Sequence, residues 1–75
     1  MEPGEVEVQE LFGVGTRYDV GCSLGQRVVV VIKKDGGREL YAFEEGSGDE
    51  PTAVIRLSDT QARKLGAILS GAFLD

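Results

Sequence analysis

The sequence predicts a small α+β domain, a strongly twisted and mainly antiparallel sheet of about five strands with one C-terminal helix. Three observations carry that expectation. Charged and apolar residues alternate with period two in the first third of the chain, as in half-buried strands. A β-branched run, Val28 to Ile32, follows between turn signals. Ser58 and Gln61 then stand three residues apart before apolar positions at helical spacing, the signature of a capped helix. With 75 residues the chain is read as a single domain. At that size a lone apolar core supplies only about 3–5 kcal/mol without a staple or a partner.

The first strand is expected over Glu5 to Leu11, with carboxylates on one side and valines on the other, the carboxylate side wet. Gly13-Val14-Gly15 supplies a reversal, and Arg17 to Cys22 resumes the alternation with Tyr18, Val20 and Cys22 pointing one way. Ser23-Leu24-Gly25-Gln26 marks a second turn. The third strand, Arg27 to Lys33, is apolar without interruption, which implies cover on both faces. One helix covers one face, so the other calls for a curled sheet, a neighbouring domain or a second copy of the chain; a homodimer is the expectation drawn from this.

Lys34-Asp35-Gly36-Gly37-Arg38 is a hairpin signal with two registers open. A turn at Asp35-Gly36 sets Lys33 against Arg38. A turn at Gly36-Gly37 is preferred, because it sets Asp35 against Arg38 and Lys34 against Glu39, and brings Ile32 beside Tyr41 and Val30 beside Phe43. Glu44 to Pro51 has the glycine, proline and charge content of an exposed connection, and Ala53 to Leu57 reads as the fifth strand. The helix is expected to start after Ser58 and to end near Gly71. Its apolar stripe is Ala62, Leu65, Gly66, Leu69, Ala72 and Phe73, with Gly66 permitting a close approach to the sheet.

The composition argues against several chemistries. A net charge of −5 opposes a nucleic-acid surface, which must neutralise phosphates with Lys and Arg. Cys22 is alone and the chain has no histidine, so a disulfide, a cysteine nucleophile with its base, a zinc site and a triad are all poorly provided for. No enzyme, no cofactor and no metal is expected. Gly13-Val14-Gly15 is not a dinucleotide loop, since the third glycine of that fingerprint would fall on Tyr18 and a strand follows. The acidic stretch Glu44 to Glu50 lacks the ligand spacing of a calcium loop. No apolar run approaches the roughly 20 residues that span a bilayer, and Glu2-Pro3-Gly4-Glu5 does not resemble a secretory signal, so a cytoplasmic product is expected. Arg17, Arg27, Lys33, Lys34 and Arg38 fall around the hairpins; they either keep strand ends soluble or meet an acidic partner loop or an anionic membrane face. The candidate partner interface is Leu11, Phe12 and Val14 of the first turn with Val29 and Val31 of the third strand.

Leu11-Phe12-Gly13-Val14-Gly15, Gly36 to Phe43 and Ser58 to Leu69, in this order and spacing, resemble the N-terminal domain of KhtT-type regulatory subunits of bacterial potassium/proton antiporters. The similarity runs from about Val6 to Gly71. It departs from the family at the first turn, which usually reads Leu-Pro-Gly-Ile-Gly and here carries Phe12 and Val14. It departs again where Lys33 or Lys34 replaces a histidine near the end of the third strand. The resemblance implies a peripheral protein at the inner face of the membrane, partnered with an integral-membrane cation/proton antiporter. It further implies that a TrkA-C (RCK C-terminal) domain binding a regulatory ligand such as cyclic di-AMP, and offering a dimer interface, follows this one. On that reading residues 1–75 are the non-catalytic docking or coupling half. The alternative is an autonomous module binding a small ligand or ion through the Glu44 to Glu50 loop or the Gly13-Val14-Gly15 turn.

Overall fold

The computed structural model describes residues 1–72. Five strands form one sheet in chain order: β1 (Val6–Leu11), β2 (Gly15–Gly21), β3 (Arg27–Lys33), β4 (Arg38–Phe43) and β5 (Ala53–Leu57). Every neighbouring pair is antiparallel, and α1 (Asp59–Leu69) follows. The expected α+β class, with five strands and one C-terminal helix, holds. Each strand returns beside the one before it because the connections after β1, β2 and β3 are three to five residues long, too short for a crossover. Phe73, the last member of the expected helix stripe, lies outside the described residues.

The first three hairpins fix which residues share a face. In β1–β2 Leu11 opposes Gly15, and Val14 N–H closes the loop on the Leu11 carbonyl at 2.9 Å. In β3–β4 neither expected register occurs. Lys33 N–H donates to the Gly37 carbonyl at 2.9 Å across a three-residue loop, Lys34 to Gly36, so Ile32 opposes Arg38, Val31 opposes Glu39 and Val29 opposes Tyr41. The loop is favoured because Gly36 takes φ +95° without a Cβ clash while Asp35 Oδ1 accepts from Gly37 N–H at 2.8 Å. The preferred pairings Ile32–Tyr41 and Val30–Phe43 are therefore corrected. The real register differs from them by an odd number of residues, which moves Tyr41 and Phe43 to the opposite face.

One face, here the loop side, carries Leu11, Arg17, Asp19, Val29, Val31, Glu39, Tyr41 and Phe43. Its centre is the core: Val29, Val31 and Phe43 are buried, with Leu11 and Tyr41 packed against them. Arg27 lies over the Phe43 ring, 4.2 Å from its centroid, and Asp49 and Pro51 of the β4–β5 connection reach the same face. The other face, the helix side, carries Val6, Val8, Tyr18, Val20, Val28, Val30, Ile32, Leu40 and Ile55, with Glu10 and Arg38 its charged members. Cover of β3 on both faces was expected; Val29 and Val31 are buried on the loop side, whereas Ile32 on the helix side stays 36% exposed.

The helix begins as its sequence requires. Gln61 N–H donates to Ser58 Oγ at 3.1 Å and Ser58 N–H donates to Gln61 Oε1 at 2.9 Å, a reciprocal capping box worth about 1 kcal/mol at the serine. It ends where expected, with Gly71 at φ +77° and bonds from Gly71 N–H to the Ile68 carbonyl and from Ala72 N–H to the Ala67 carbonyl. None of its described residues is fully buried. Ala62, Leu65, Gly66 and Leu69 face Val30, Arg38, Leu40 and Leu57 across a seam of about 210 Å³. Gly66 does not mediate the expected close approach: a Cβ placed there would meet nothing within 4 Å.

Candidate partner-contact surface

Three features could meet another molecule, and the meander places each. The first is the end of the sheet where two hairpin tips lie side by side. Gly15 opposes Lys33 across β2–β3, and Lys34 N–H donates to the Val14 carbonyl at 2.9 Å, so the 12–14 tip is tied to the 34–36 tip. Phe12 is fully exposed there at 102% and Val14 at 45%, and a shallow groove between the tips is lined by Gly13, Val14, Lys33, Lys34 and Asp35.

The second is a cavity of about 290 Å³ on the loop side, walled by Leu11, Val14, Val29, Val31, Tyr41, Phe43 and Pro51, with Arg17, Glu39 and Asp49 as its ionisable groups. Arg17 is held by Asp19, through Nε–Oδ1 at 2.7 Å and Nη2–Oδ2 at 3.0 Å. That bidentate pair keeps the Asp19 carboxyl below its ordinary range and raises the Arg17 guanidinium. Glu39 accepts from Tyr41 Oη at 2.7 Å, with Lys33 and Arg56 at 3.7 and 3.6 Å. The Tyr41 hydroxyl is the main reason Glu39 is held below its ordinary range, and Glu39 in turn raises the Tyr41 phenol. Arg17 and Glu39 are thus engaged with neighbouring side chains.

The third is the helix-side face, where Val6 and Val8 at the β1 edge are exposed at 54% and 62%, and Ile55 at the β5 edge, the edge α1 follows, at 50%. Sequence reasoning missed these three, because alternation shows that a strand has an apolar side and not whether anything covers it.

The structure separates the five candidate interface residues. Val29 and Val31 lie in the core at 2% and 6% exposure, and Leu11 packs against them. Phe12 and Val14 are the accessible members. The five basic residues do not form one edge. Arg27 is at the far end of the sheet over Phe43, Arg17 is paired with Asp19, and Arg38 donates to the Gly36 carbonyl and to Asp59 Oδ1. Lys33 and Lys34 remain at the tip. Among the described residues no group of three or more His, Cys, Asp or Glu side chains is arranged to hold a metal. Cys22 is half-buried and unpaired, its Sγ donating to the Val20 carbonyl at 3.7 Å.

A five-stranded antiparallel meander with a single helix, its core on one face and apolar residues exposed at a hairpin tip and on the other face, belongs to the class of small α+β domains. Residues 4–73 match the family model described as "K(+)/H(+) antiporter subunit KhtT, N-terminal domain", and the chain belongs to that family. It is 32% identical over 66 residues to the K(+)/H(+) antiporter subunit KhtT of Bacillus subtilis. It is 38% identical over 66 residues to the ammonium/H(+) antiporter subunit AmhM of Alkalihalophilus pseudofirmus, and 35% identical over the same length to YrvC of Bacillus subtilis, an uncharacterized protein. In each case the match takes in 88% of this chain and 40% of the relative, so the chain spans about two fifths of the length of the curated relatives it matches.

Proposed function

We propose that this domain is the docking and coupling half of a regulatory subunit of a cation/proton antiporter, working at the inner face of the membrane and passing the state of a following ligand-sensing TrkA-C domain to the transporter. The observation that carries the reading is family membership over nearly the whole chain, together with relatives named as antiporter subunits. The architecture supports a mechanical role. The helix is the last described element and rests on the sheet through one stripe over an incompletely filled seam. A pull on that helix shifts it against the sheet at little packing cost, because few close contacts have to be broken. Transmission then requires only that the sheet touch the transporter differently in the two positions. Deleting residues 1–72 from the full subunit is expected to abolish ligand control of transport in membrane vesicles; intact control after the deletion defeats the proposal.

The same reading includes a homodimer formed through the helix-side face. That face is nearly free of charge in a chain of net charge −5, so two copies can meet there with their carboxylates kept outside the contact.

A second reading, a small-ligand module, has one observation in its favour. Val14 of the first turn and Asp49 of the acidic connection, far apart in sequence, line the same aromatic-walled cavity. A thermal shift with potassium, calcium or nucleotides tests it, since a ligand at a hundred times its Kd adds about 2.7 kcal/mol. No shift leaves docking as the function.

A further inference from the structure

We propose that the hairpin tip Phe12-Gly13-Val14, with Lys33 and Lys34 beside it, is a membrane-surface contact that seats the domain on an anionic bilayer. Phe12 is fully exposed and takes no part in the core. The tip is held firmly, by Val14 N–H on the Leu11 carbonyl and Lys34 N–H on the Val14 carbonyl, both at 2.9 Å, so the aromatic ring and the lysine loop are presented together.

Charge complementarity selects the partner. The register gathers carboxylates at the opposite end of the sheet. Gly21 bonds to Gly4 and Glu5 there, Glu2 lies against Gly21, Gln26 donates to Glu44, and Glu45 sits against Gly25. Arg27 is the basic residue among these four carboxylates. At the tip end Glu39 is paired with Lys33 and Arg56 and accepts from Tyr41, Asp59 is paired with Arg38 and Arg63, and Asp35 accepts from the Gly37 amide. Glu10 and Asp35 are thus the carboxylates there without an ion pair among the described residues, against Lys33, Lys34, Arg38, Arg56 and Arg63. Lys34 is exposed and makes no ion pair among the described residues. The domain is thus polarised along its strands, with its protruding ring at the less acidic, lysine-bearing end. An anionic leaflet attracts that end and repels the other, which fixes orientation. A bilayer also accepts a single protruding ring without a matching pocket, whereas a specific protein partner needs about 800 Å² of complementary surface on each side, which the tip does not offer.

This deepens the antiporter-subunit reading and rests on it for the place of the domain beside a membrane. Its test uses no transporter. The chain has no tryptophan, so Phe12→Trp introduces a lone indole reporter at the tip. With vesicles of equimolar phosphatidylcholine and phosphatidylglycerol, the expected result is a blue-shifted, brighter emission and co-sedimentation, both absent with pure phosphatidylcholine. Lys34→Gln in that background should lower the partition coefficient about fivefold, the worth of one basic residue at an anionic surface. In the otherwise natural chain, Phe12→Ser should abolish co-sedimentation while far-UV circular dichroism stays unchanged. A folded Phe12→Trp chain whose emission ignores the anionic vesicles overturns the proposal, as does equal binding to both vesicle types. If vesicle binding fails while deletion of residues 1–72 still abolishes ligand control of transport, the lipid contact falls and the docking reading stands.

Discussion

Gly15 tolerates substitution least among the sheet glycines. A Cβ there would lie 1.9 Å from the Ile32 carbonyl oxygen, a backbone atom that cannot swing aside, and φ is +155°. Gly15→Ala is expected to cost about 1–3 kcal/mol, the range for forced overpacking, read as a lower midpoint in urea denaturation. The paired carboxylates set the acid response. Arg17 holds the folded-state pKa of Asp19 below its unfolded value, and the Tyr41 hydroxyl does the same for Glu39. The unfolded chain therefore binds protons first, so these contributions are complete above the unfolded carboxylate values of about 4 and are lost as pH falls through the folded ones. Urea midpoints should be flat near neutrality and drop below about pH 5, with Asp19→Asn flattening part of that slope. Neither pairing was legible in the sequence. Arg17 and Asp19 stand two apart on one strand, as do Glu39 and Tyr41, and that spacing says only that each pair shares a face.

At the scale of elements, the helix was legible and its seat was not. Ser58, Gln61 and Gly71 fix both ends through bonds within one turn, and such bonds follow from local sequence. How far the apolar stripe stands from the sheet depends on Val30, Arg38 and Leu40 in other strands, and the expectation that Gly66 marks a tight contact failed for that reason. The open space at Gly66 gives the next prediction. Gly66→Ala should stabilise the domain by about 1 kcal/mol, since the methyl meets no neighbour and the helix loses its least favourable interior residue. A fall in thermal midpoint would mean that the helix moves against the sheet to a position where the methyl clashes. The β3–β4 loop repeats the lesson. Lys34 to Gly37 signals a hairpin in any register, and cross-strand charge pairing was a poor guide because such pairs contribute only about 0.2–1 kcal/mol each. A glycine at positive φ with an aspartate cap outweighed them.

For the whole molecule, the single register choice at β3–β4 decides which residues are interior. By placing Tyr41 and Phe43 with Val29 and Val31, it builds the core on the loop side and leaves the helix side with Val6, Val8 and Ile55 in solvent. If two copies pair through that face, Val8→Lys should convert a dimer to a monomer in sedimentation velocity without lowering the urea midpoint of the monomer, because Val8 buries little within its own fold. A wild-type chain that sediments as a monomer at tens of micromolar would remove the dimer from the proposal. The sequence by itself determined the class of the fold, the span of β3 and β5 and both ends of the helix, since these rest on periodicity, capping and turn chemistry within a few residues; the family came from the resemblance of motifs spread along the whole chain. The tertiary structure alone decided which face is the core, that Phe12 protrudes while Val29 and Val31 do not, and that charge is segregated along the strands. Period-two alternation fixes two faces but not their fates, and it is the pairing of distant strands that assigns one to the interior and leaves much of the other in solvent.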